Sequence, residues 1–94
     1  MTFRAEVFVT LKPVVNDPQG TTIRSGLQSI GFDSVREVRS GKYLVLTLEE
    51  ADLGAARARV DEMAREVLAN PVIEDYRVEL EPLPTPIAAG VGSA

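Results

Sequence analysis

The chain has 94 residues, a net charge of −4, and neither cysteine nor histidine. Its length allows one domain with a modest core that buries roughly 60–65 % of the surface the unfolded chain exposes. Its acidic balance argues against a nucleic-acid partner, and the missing Cys and His remove thiol nucleophiles, disulfides, imidazole bases and nearly every zinc site.

Residues 3–12, FRAEVFVTLK, alternate. Phe3, Ala5, Val7, Val9 and Leu11 fall on one side and Arg4, Glu6, Thr10 and Lys12 on the other, the period of a half-buried strand. Phe8 breaks the pattern as a large apolar group on the polar side. In VVNDPQGTTI, Asp17 suits a helix N-cap, because its carboxylate can accept from the free N–H groups of the first turn. Pro18 suits the first helical position. Ile23, Leu27 and Ile30 recur at helical spacing, so a helix is predicted over 18–30, weakened by Gly20 and Gly26 and capped by Gly31.

SVREVRSGKYLVLTLE reads as a hairpin, with arms 35–39 and 42–49 joined by Ser40-Gly41. In the second arm Leu44, Leu46 and Leu48 share one face, and Tyr43, Val45 and Thr47 the other. Residues 51–69 form the longest predicted helix, with Leu53, Ala56, Val60, Met63 and Val67 as its apolar stripe and Asp61–Arg65 as a surface pair. Asn70-Pro71 ends it. VIEDYRVEL, 72–80, is the last strand, and 82–94 reads as a flexible tail rich in Pro and Gly.

The order is β-α-β-β-α-β. The expected fold is therefore α+β, a split β-α-β (ferredoxin-like) antiparallel sheet with two helices on one face, in a single domain over 1–81. Nothing in the chain covers the other face, where Phe8, Tyr43 and Val45 lie. Burying each such side chain is worth roughly 1.5–3 kcal/mol, which points to a homo-oligomer, dimer or tetramer, joined through sheet faces or edges.

The acidic residues near 49–52 are explained by a helix start, and Glu74 and Asp75 point to opposite faces of a strand. No metal site and no catalytic residue is assigned. No apolar run approaches the ~20 residues that cross a bilayer, and the first residues are too short and charged for a signal peptide. A cytoplasmic protein with no membrane partner is expected.

LKPVVNDPQG, VREVRSGKYLVLTLE and LANPVIEDYRVELE together resemble the PurS family, the small subunit of phosphoribosylformylglycinamidine synthase, over about residues 3–81. The motif positions are Asp17 to Gly20, then Val38, Arg39, Gly41 and Lys42, then Leu68, Asn70 and Val72 to Tyr76. Asn16 and Ser40 depart from the family pattern. The resemblance implies a non-catalytic subunit that bridges a synthetase (PurL-type) and a glutaminase (PurQ-type) subunit. The complex converts formylglycinamide ribonucleotide to its amidine with ATP, Mg and glutamine-derived ammonia. ATP and Mg would be used by the synthetase subunit, with no cofactor held by this chain. Asp17, Pro18, Gln19, Gly20, Arg39, Gly41 and Lys42 are the candidate partner contacts, with Gly20 expected to let a partner's backbone approach closely. The competing reading is a stand-alone dimeric regulatory domain that binds a small molecule.

Overall fold

The alternating N-terminal segment forms β1, Thr2–Leu11, the central strand of an antiparallel sheet. A computed structural model describes residues 1–84 of the chain. The order of elements is β1, α1 (Pro18–Ser29), β2 (Gly41–Glu49), α2 (Leu53–Met63) with a π-helical continuation over Ala64–Leu68, and β3 (Glu74–Pro82). The strands lie in the order β2-β1-β3, so β2 and β3 are the edges.

Register decides which residues share a face. Val7 stands between Leu44 and Val78, and Ala5 between Leu46 and Leu80. These rows, with Phe3 and Val9, form the inner face, and α2 lays Ala56, Val60 and Ala64 over it. Phe3, Val7, Val9 and Val60 are fully buried. The helix covers the β1–β3 side of the sheet.

The α+β class, the antiparallel sheet and the two helices agree with the sequence reading, but the sheet has three strands where four were expected. Residues 35–40 form no strand, because their backbone groups find partners elsewhere. Gln28 Nε2 donates to the Val35 carbonyl at 2.8 Å, an Arg24 guanidinium nitrogen to the Arg36 carbonyl at 3.3 Å, and the Ser40 N–H to Asp17 at 2.6 Å. With those groups satisfied, no ladder forms beside β2. The expectation of two helices on one face also changes. α1 makes no extensive contact with the sheet; Ile23 on it is exposed and Leu27 half-buried.

The α2 stripe shifts for a reason of geometry. The Ala69 N–H donates to the Ala64 carbonyl at 2.8 Å, five residues back, and this wider turn rotates the helix. Ala64 and Ala69 are buried, while Val67, assigned inward by a 3.6-residue period, is 80 % exposed. Asp61 accepts from the Tyr76 hydroxyl at 3.4 Å, and no Asp61–Arg65 ion pair forms among the described residues. The expected domain boundary at 81 falls inside β3, which runs to Pro82, and the Leu83 N–H still donates to the Thr2 carbonyl at 2.8 Å. The rest of the expected tail, 85–94, lies outside the described residues. No described helix is long and apolar enough to cross a membrane.

Candidate functional site

Asp17 caps α1 as expected, accepting from the Gly20 N–H at 2.9 Å. Its second oxygen does something the sequence did not announce. It accepts from the Ser40 N–H at 2.6 Å, and the Ser40 hydroxyl lies 3.1 Å from both carboxylate oxygens. Asp17 therefore joins the start of α1 to the start of β2, twenty-three residues on, and only 3 % of it is exposed. The Ser40 N–H foremost, then the Gly20 N–H, hold its carboxyl below the ordinary Asp value, and Arg39 adds to this.

Gly20 is buried against the chain itself. A Cβ there would stand 2.0 Å from the Val38 carbonyl oxygen. The close backbone approach expected of a partner subunit is made by residue 38 of the same chain, so no side chain fits. Arg39 likewise turns inward, donating to the carbonyls of Lys12 at 3.0 Å and Val15 at 2.7 Å. It pins the loop that leaves β1.

The other candidates remain at the surface. Pro18, Gln19, Gly41 and Lys42 are exposed and line an open cleft of about 490 Å³, with Leu11, Asp17, Ser40 and Glu74 completing its wall. Lys42 donates to the Leu68 carbonyl at 3.0 Å and lies 3.9 Å from Glu74. The structure thus draws the seven candidates into one corner, where β1 ends and β2 begins, with Asp17 and Gly20 beneath and four residues presented outward. Ser40 and the Val38 carbonyl were missed as members. Ser40 stood out only as a departure from the family pattern, and a carbonyl leaves no mark in a sequence.

Phe8, Tyr43 and Val45 meet on the outer face of the sheet. Phe8 pairs across the ladder with Tyr43, their ring centroids 5.1 Å apart, and the Arg77 guanidinium lies 4.1 Å above the Phe8 ring. The Tyr43 hydroxyl donates to Glu6, and that hydrogen bond raises the phenol above its ordinary value. Tyr43 and Val45 remain more than half exposed.

The acidic positions have structural partners. Asp52 accepts from the Ala55 N–H at 2.8 Å as the α2 cap, Glu50 faces Arg59 at 3.6 Å, and Asp75 pairs with Lys12 at 2.8 Å. Among the described residues no group of three or more acidic side chains is placed to hold a metal.

The family model for PurS, phosphoribosylformylglycinamidine (FGAM) synthase, matches residues 4–82. The chain is 47 % identical over 81 residues to the phosphoribosylformylglycinamidine synthase subunit PurS of Synechocystis, covering 86 % of this chain and 81 % of that one. It is similar to the crystal structure of PurS from Bacillus subtilis, with a TM-score of 0.78 and 44 % identity over 85 % of this chain and 99 % of the other. It is also similar to a chain in the structure of PurLQS from Thermotoga maritima, with a TM-score of 0.80 and 31 % identity over 86 % and 99 % of the two chains.

Proposed function

The chain belongs to the PurS family, and on that premise we propose that it serves as the small, non-catalytic subunit of phosphoribosylformylglycinamidine synthase. The observation that carries this is the match of residues 4–82, nearly all of the described chain, to the family. The chemistry is that of a glutamine-dependent ligase of purine biosynthesis, in which the assembly, not this chain, uses ATP. The lack of Cys and His fits a subunit that leaves glutamine hydrolysis to another. The stand-alone regulatory reading has no observation in its favour.

The chain partners with the other synthase subunits. Its part is to bridge synthetase and glutaminase in the cytoplasm so that ammonia passes between them. Pro18, Gln19, Gly41 and Lys42 offer the contact surface, and Asp17, Gly20 and Arg39 hold that surface in shape. The chain acts as a homo-oligomer, for which the half-buried Phe8 with the exposed Tyr43 and Val45 supplies one self-association surface.

Reconstitution tests the reading. Synthetase and glutaminase subunits are assayed with formylglycinamide ribonucleotide, ATP, Mg and glutamine, with and without this protein. Glutamine-dependent amidine formation is expected only when it is present; equal turnover without it would overturn the assignment.

A further inference from the structure

The corner that Asp17 closes has a second side. Between α1 and the segment that leads into β2 lies a cavity of about 160 Å³, walled by Asn16, Asp17, Thr21, Arg24, Glu37 and Arg39. A single water needs only about 10–15 Å³ of such space, so the cavity has room for a polyatomic ion. Its wall is almost wholly polar, and two guanidinium groups meet on it.

Arg24 Nε is closed off from solvent and finds no hydrogen-bond acceptor among the described residues. The same side chain donates from Nη1 to the Arg36 carbonyl at 3.3 Å, which orients its guanidinium plane. Arg39 commits only Nη2, to the Lys12 and Val15 carbonyls. Asn16 and Thr21 add an amide and a hydroxyl. The two carboxylates on the wall do not answer these donors. Asp17 has both oxygens taken, by the Gly20 N–H at 2.9 Å and the Ser40 N–H at 2.6 Å, with the Ser40 hydroxyl 3.1 Å from each. Glu37 is exposed and forms no ion pair among the described residues. Elsewhere in this corner the lysines do face acids, Lys12 with Asp75 at 2.8 Å and Lys42 with Glu74 at 3.9 Å. Buried donors are normally paired, and Arg24 Nε is a buried donor on the wall of a polar cavity.

We propose that this cavity binds a phosphate-type oxyanion, held by Arg24 Nε with Arg39, Asn16 and Thr21 around it. Guanidinium groups match phosphate oxygens in both charge and geometry. The donors stand on three pieces of chain: the loop before α1, α1 itself, and the segment before β2. That spread suits a tetrahedral ion better than a planar carboxylate. A bound ion ties α1 to the segment that leads into Gly41 and Lys42, and so steadies the corner that carries the contact surface. The chain's net charge of −4 gives no general attraction for anions, so binding here reports the local donors.

Calorimetric titration of the full-length protein with sodium phosphate tests this, with sodium chloride at matched ionic strength as the control. One ion per chain is expected, with a dissociation constant on the order of 1 mM. The melting temperature is expected to rise with phosphate and not with chloride. Arg24→Gln is expected to weaken binding by roughly tenfold or more. Glu37→Gln, at an exposed position, removes a like charge from the wall and is expected to tighten binding about threefold. Ribose 5-phosphate in a parallel titration separates the sources: saturation by both ligands means a phosphomonoester site, saturation by phosphate alone a site for the free ion, and either supports the assignment. No saturable phosphate binding at roughly 10 mM overturns it. So does a Glu37→Gln protein that melts lower than wild type and binds phosphate no more tightly, because Glu37 is then the acceptor for Arg24. If Arg24→Gln does not fold, the Glu37→Gln titration decides alone. Binding is read on this chain by itself, and its outcome is separate from the chain's part in the synthase.

Discussion

Asp17 shows how one side chain can hold a corner of the fold. Its two oxygens accept from backbone N–H groups twenty residues apart in sequence, Gly20 and Ser40. Because its folded value lies below the ordinary 3.8, its contribution is complete above about pH 3.8 and is lost as the pH falls through the folded value. Asp17→Asn presents an N–H donor to a neighbouring N–H and removes the titration. The variant is expected to melt lower at pH 7, and its melting temperature to fall less steeply than the wild type's between pH 5 and 3, read by calorimetry across that range. Gly20 belongs to the same corner. An added methyl would collide with the Val38 carbonyl, so Gly20→Ala is expected to cost about 1–3 kcal/mol in urea denaturation. Any loss of complex formation in that variant therefore has to be read against its folding.

At the scale of elements, the two helices have opposite roles although both follow Asp caps. α2 buries Ala56, Val60 and Ala64 on the sheet, and its π-type turn keeps Ala64 and Ala69 inward. Val60→Ala removes fully buried apolar volume and is expected to cost about 2 kcal/mol, lowering the urea midpoint at unchanged slope. The strands were legible in period-two patterns, down to the faces of Phe3, Ala5, Val7 and Val9. The segment 35–39 was misread because Val35 and Val38 look like strand residues. Nothing local says that Arg24, Gln28 and Asp17 will take its backbone groups.

For the whole molecule, one helix over a three-stranded sheet leaves apolar surface on both sides. The outer face keeps Tyr43 and Val45 in water, and the inner face keeps the β2 leucines only half covered. A chain that gains stability from a second copy has a melting temperature that depends on its concentration. We expect a rise of roughly 5–10 °C over a hundredfold increase in protein, measured by scanning fluorimetry or calorimetry; a constant value would speak for a self-sufficient monomer.

The sequence by itself determined the faces of β1, the cap at Asp17 and the inward positions Ala56 and Val60 of α2, because each depends on spacing within a few residues. It also carried the family, through three motifs whose order and chemistry are readable without coordinates. Only the tertiary structure decided that Gly20 meets Val38 and that Asp17 binds Ser40. It alone showed that α1 makes no extensive contact with its own sheet. Those outcomes depend on how distant segments compete for the same backbone groups and the same apolar face, and that competition is settled in space rather than along the chain.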